Sequence, residues 1–144
     1  WAPLRAHHIL ATGAPRPRFI SPFQNRPMRI TVLKNTATLT DLQPQGGPAR
    51  PVTQPPCAFS GMDVDLAGAA PHQTGIWECT PGKFERVLPN AEVMHILTGA
   101  CIFTPTGGEP LHIQAGDTLF FPADTTGVWH ITETLRKVFF IVAQ

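Results

Sequence analysis

The stretch PGKFERVLPNAEVMHILTG, residues 81–99, together with GDTLFFP, residues 116–122, decides the fold of this 144-residue chain. Each is a short apolar run framed by glycine, and neither is long or periodic enough for a helix. Around them the pattern repeats. Gly75–Thr80 closes at Pro81-Gly82, Val93–Leu97 at Gly99, and Ala100–Thr104 at Gly107-Gly108. Leu111–Gln114 closes at Gly116-Asp117, Thr118–Phe121 at Pro122, and Val128–Thr132 leads into Leu135–Val142. Strands of about five residues with turn signals at this spacing mark an antiparallel sandwich or barrel. Gly107-Gly108 suits a tight hairpin, because glycine accepts positive φ. The fold class is therefore all-β, with minimal helix.

Upstream of these strands the texture differs. Residues 34–60 carry Pro44, Gly46, Gly47, Pro48, Pro51, Pro55 and Pro56, which predicts loop or edge strand, since proline cannot donate to a sheet ladder. Residues 1–27 hold Arg5, Arg16, Arg18 and Arg26, and no acid precedes Asp41. An arginine-rich, acid-poor leader resembles a transit peptide, but its prolines would interrupt an amphipathic helix. We read residues 1–27 as an extended arm or leader extension, residues 28–144 as a single domain, and Met28–Leu33 as its first strand.

Composition limits the function classes. A formal charge of +1 gives no case for nucleic acid or a membrane surface, and no apolar run approaches the roughly 20 residues of a bilayer span. Cys57, Cys79 and Cys101 form no Cys-x-x-Cys pair, so they read as reduced, buried thiols of a cytoplasmic protein. Gly-x-Ser-x-Gly and glycine-rich phosphate loops are absent.

The two framed stretches resemble the paired motifs of the cupin superfamily. The first runs glycine, His-x-His, three residues, glutamate, six residues, glycine; Gly82, Glu92 and Gly99 match it. The second runs glycine, five residues, Pro-x-Gly, two residues, histidine; Gly116 and Pro122 match, with Asp124 at the second glycine. Trp77–Arg86, the Glu92-x-x-His95 step, and Gly127-Val128-Trp129 near Arg136-Lys137 are similar to the ethanolamine-utilisation-Q-like branch, related to ureidoglycine aminohydrolase. The resemblance covers residues 75–142. It implies an RmlC-like antiparallel jelly-roll β-barrel, a pocket inside it, and a homodimer.

The metal frame is broken. Arg86 and Leu88 stand at the His-x-His positions and Gly127 at the last ligand position, leaving Glu92 alone. A divalent transition metal needs several well-placed N, O or S ligands, so no metal or other cofactor is expected. Glu92 beside cationic Arg86 predicts an ion pair. Side chains alternate along a strand, so His95 should point away from Glu92 while Met94 shares its face. His112 and His130 lie on other strands and read as core or interface histidines, as does His95; an inward turn of these three would make a non-standard metal site. His7-His8 matches no motif.

These residues predict a small-molecule ligand held in the barrel. Arg86, with Lys83, would grip a carboxylate or phosphate through planar donors, and Met94 and Trp129 would supply apolar walls. Trp129 would fill the space of the missing ligand, its N–H seeking an acceptor. The alternative is an enzyme, an isomerase or amidohydrolase-like catalyst, with Glu92 as general acid or base.

Overall fold

The computed structural model describes residues 29–144. The arm assigned to residues 1–27 and His7-His8 lie outside the described residues. The strand expected over Met28–Leu33 is not formed at residues 29–33, which are irregular backbone. With no strand among the described residues pairing with them, Ile30 and Val32 stand 85% and 64% exposed.

Among the described residues, nine strands follow a single 3₁₀ turn at Thr36–Thr38: β1 (Gln43–Pro44), β2 (Arg50–Pro51), β3 (Phe59–Val64), β4 (Gln73–Cys79), β5 (Gly82–Leu88), β6 (Ala91–Pro105), β7 (Leu111–Gln114), β8 (Thr118–Phe121) and β9 (Thr125–Val142). All described pairings are antiparallel, and the sheet curls into a jelly-roll barrel. The central strand is β9. One edge of it pairs with β6 along nearly its whole length; the other pairs with β4 and then β5. Strands β7 and β8 extend the sheet from β6.

Two pairs of runs that read as separate strands are continuous. Val93–Leu97 and Ala100–Thr104 are one strand, β6, bent where the register against β9 shifts between Ile96 and Cys101, and Val128–Thr132 and Leu135–Val142 are likewise one strand, β9. Gly99 sits in this bulge at φ 86°, and a Cβ there would lie 2.0 Å from the Thr134 carbonyl oxygen. Only glycine permits that close backbone approach. Asp124, where the motif usually carries glycine, adopts φ 62°, a left-handed conformation that aspartate tolerates better than most residues. The tract over residues 34–60 is mainly irregular but supplies β1, β2 and the start of β3. Pro44 and Pro51 lie on these two-residue strands at the sheet's ends, where a missing donor costs little.

Alternation places the core. Along β6, Glu92, Met94 and Ile96 are buried while Val93 and His95 are half-buried on the opposite face. On β9 the inward set includes Trp129, Ile131 and Leu135. Phe103, Phe121 and Trp129 stack at one end, with Phe103 and Trp129 centroids 4.7 Å apart. Phe59, Trp77 and Phe84 cluster elsewhere in the core. Burial of aromatic rings dominates such interiors energetically.

Candidate functional site

A cavity of about 950 Å³ opens into the barrel. That is within the range of small-ligand pockets, roughly 300–1,000 Å³. Strands β4, β5, β6 and β9 supply its interior wall through Trp77, Arg86, Glu92 and Lys137, and the proline-rich segment supplies Arg50.

The centre of the site is an ion pair between β6 and β9. Lys137 Nζ donates to Glu92 Oε1 at 2.7 Å, and the side chains are only 6% and 4% exposed. The ammonium also lies 4.9 Å from the Trp77 ring centroid and 5.7 Å from that of Phe139, within cation–π range. Met94 Sδ lies 3.9 Å from it. Burial pushes the Lys137 pKa below its usual value; the Glu92 carboxylate opposes that shift, and the Arg86 charge adds to it. Arg86 is half-buried on β5, its Cζ 5.8 Å from the same Trp77 centroid. Two cations thus flank one indole, but only Lys137 has a carboxylate partner among the described residues.

This geometry changes the sequence reading at several positions. Glu92 does face the cavity, yet its partner is Lys137 and not Arg86. Lys83 is exposed, because β5 alternates Phe84, Arg86 and Leu88 inward against Lys83, Glu85 and Val87. Its side chain does not reach the cavity. Met94 is fully buried behind the wall, does not line the cavity, and places its sulfur near Lys137. Trp129 is packed against Phe103 and Phe121 and does not line the cavity, and its indole Nε1 has no hydrogen-bond partner among the described residues. The space beside Gly127 belongs to Phe103: a Cβ at 127 would lie 2.6 Å from Phe103 Cζ and 2.4 Å from the Thr104 oxygen.

His95 stands where alternation places it, and of the three histidines read as core or interface His112 lies outside the core. His95 faces away from Glu92, its Nδ1 2.7 Å from Thr118 Oγ1. His112 is exposed, and His130 alternates with buried Trp129 and Ile131. Among the described residues, no three His, Cys, Asp or Glu side chains converge on a point. The residues present do not fit a metal of the usual cupin kind. Besides the replacements Arg86, Leu88 and Gly127, an ammonium group sits against the one remaining carboxylate, where it would repel a cation.

The buried thiols are poor nucleophiles. Burial raises the pKa of Cys101 to about 12 and pushes Cys79 higher still, with Cys57 contributing to the latter shift. Arg136, next to Lys137, serves the opposite face: its Nε donates to Glu78 at 2.7 Å and its guanidinium reaches the Thr36 carbonyl.

A curled jelly-roll barrel, punctuated by two glycine-framed motifs and hollow at its centre, is a cupin. The EutQ-like cupin domain matches residues 66–139, and this chain belongs to that family. A protein of unknown function from Pseudomonas syringae pv. tomato, of the DUF861 family, superposes with a TM-score of 0.65 at 22% identity, covering 72% of this chain and 45% of that one. The present chain thus spans less than half the length of that relative. The EutQ protein of Clostridium difficile superposes at 0.52 with 15% identity, over 59% of this chain and 68% of its own. A DUF1255 protein of unknown function from Acidithiobacillus ferrooxidans gives 0.54 at 18% identity, over 75% and 98%. At these identities the likeness establishes the fold alone. No curated protein is a significant match.

Proposed function

We propose that this protein binds a small anionic metabolite inside the barrel, without a standard metal centre. The observation that carries the reading is the unequal charge of the cavity wall. Glu92 offsets Lys137, while Arg86 faces the same space with no acidic partner within ion-pair distance among the described residues. A half-buried guanidinium without an acidic partner recruits a carboxylate or phosphate, whose oxygens match its planar donors. Trp77 and Phe139 supply apolar surface.

The test is calorimetry of small carboxylates and phosphates against the full chain, before and after Arg86→Ala. Loss of a charge-assisted hydrogen bond predicts roughly ten- to hundredfold weaker binding. An unchanged Kd overturns the anchor, and stoichiometric manganese, iron, nickel or zinc in protein purified from its native host overturns the metal-free reading.

A second reading has its own support. Glu92 and Lys137, hydrogen-bonded at 2.7 Å on the cavity wall, form a proton-transfer pair suited to isomerisation or hydrolysis of a small amide. Turnover lost in Glu92→Gln, with binding retained, would identify catalysis. We also take the protein to be a cytoplasmic homodimer, as its family resemblance implies; exposed Leu111 and Phe120 on β7 and β8 suit a contact surface. A monomer in light scattering, or organellar material in cell fractionation, would overturn this. No helix among the described residues is long and apolar enough to cross a membrane.

A further inference from the structure

We infer that Lys137 is a covalent anchor, forming a reversible imine with a small 2-oxo acid whose carboxylate lies on Arg86; this deepens the anion-binding reading and rests on it. A lysine becomes a carbonyl nucleophile when it is desolvated, sits beside another cation, and has a nearby group to take its proton. Lys137 meets all three conditions. It lines the cavity with its side chain only 6% exposed, and the Arg86 charge acts on it. Its Nζ touches the Glu92 carboxylate at 2.7 Å. Burial favours the neutral amine, and Trp77 and Phe139 border the ammonium with rings instead of water.

The step balances on the residues present. Glu92 takes one proton from the ammonium, and the freed amine attacks the carbonyl carbon. A proton moves from nitrogen to the former carbonyl oxygen, giving a carbinolamine. Glu92 returns its proton to that hydroxyl, the C–O bond breaks, and water leaves. The product is a protonated imine carrying one N–H, beside an ionised Glu92; water reverses the sequence. No oxidant or reductant is consumed. Arg86 gives the class its selectivity: both cations line the same cavity and the Arg86 charge acts on Lys137, so a carboxylate next to the carbonyl is the group suited to pair with the guanidinium while the carbonyl meets Nζ. The second carbon substituent is left to the apolar wall.

The experiment incubates the full chain with pyruvate or glyoxylate and sodium cyanoborohydride, which reduces an imine to a stable secondary amine. Intact mass and peptide mapping follow. The chain has only Lys34, Lys83 and Lys137, so assignment is direct. The expected result is a single adduct at Lys137, formed roughly a hundredfold more slowly in Glu92→Gln, as expected for loss of a positioned proton carrier. Arg86→Ala should slow trapping by 2-oxo acids roughly tenfold or more but not trapping by acetaldehyde. Lys137→Arg keeps the charge facing Glu92 and should melt near the native temperature while giving no adduct. Lactate, which has the carboxylate but no carbonyl, should compete.

The outcomes separate the two ideas. If lactate binds but pyruvate and glyoxylate leave no adduct at Lys137, the imine is wrong and the anion pocket stands. If Lys137 is trapped equally well in Arg86→Ala and lactate neither binds nor competes, the imine stands without the anion anchor. Labelling of Lys34 or Lys83 as fast as Lys137 overturns selective activation. Neither binding nor trapping removes both.

Discussion

Replacing Lys137 by methionine would leave the Glu92 carboxylate inside the barrel without its partner. Removing one member of a buried ion pair typically costs about 3–5 kcal/mol, because the remaining charge has lost both water and counterion. Here the pair is 4–6% exposed, yet both side chains border a cavity that water can enter, which places the expected loss near the lower end, about 3 kcal/mol. At roughly 4 °C per kcal/mol for a chain of this length, the melting temperature should fall by about 12 °C. Glu92→Gln should cost less, about 2 kcal/mol, since ammonium on a flexible stem can turn toward cavity water. The double variant, Lys137→Met with Glu92→Gln, removes both charges and leaves an amide that can still hydrogen-bond to water. It should recover to within about 1.5 kcal/mol of the native protein, as buried pairs replaced together often do. Urea titrations of the four proteins, followed by tryptophan fluorescence and circular dichroism, give the coupling energy directly. Additive single losses, or a cost below about 1 kcal/mol for Lys137→Met, would show that the two charges are not a desolvated unit, and the account of the site would fail.

Stability of the native protein, relative to the double variant, should rise with pH toward the ordinary lysine value of 10.5. The sign follows from linkage: burial lowers the folded-state pKa of Lys137, so the unfolded chain binds the extra proton and stability grows as pH climbs through that window; a flat or falling difference in urea titrations refutes it. Gly127→His, which restores a ligand of the cupin frame, should destabilise by about 1–3 kcal/mol by overpacking against Phe103 and bind no zinc; a variant as stable as the parent that retains zinc after dialysis would refute the steric argument. Cys57, Cys79 and Cys101 are all buried and free, so an aromatic disulfide reagent should leave them unlabelled in the native protein and label all three in urea; rapid native labelling would show that the barrel opens.

How much of this was legible in the residues depends on which rule each position obeys. Gly116 and Pro122 mark turns that only a few residue types can make, so the motif frame, the strand sites at Leu111–Gln114 and Thr118–Phe121, and the cupin class follow from local sequence. Alternation also placed His95 correctly, because the two residues flanking it are strongly apolar and only one face of β6 could be buried. The expected break between Ala100–Thr104 and Val93–Leu97 failed for a physical reason: Gly99 and the residues around it bend a continuous strand through a bulge, and a glycine in a strand reads the same whether the chain turns or only kinks.

Lys137 was the harder case. On β9, Phe139 and Ile141 share its face, while Val138, Phe140 and Val142 lie on the other, so both faces look apolar and the Arg136-Lys137 pair gives no sign of which cation turns inward. A signal did exist. Trp129 and Lys137 are eight positions apart, an even offset whose parity the two irregularities on β9 between Ile131 and Arg136 together leave unchanged, so an inward Trp129 goes with an inward Lys137. The partner strand then decides the chemistry. Glu92 is in register with Ile141 and Ile96 with Lys137, so the carboxylate and the ammonium approach diagonally, across the space where the cupin motifs usually assemble histidines. That cross-strand register, with its shifts between Ile96 and Cys101, does not appear in a count of motif positions. The charged pair could therefore be inferred only after β6 and β9 were laid side by side, which is why Arg86, the cation nearest in the motif, took the place that belongs to Lys137.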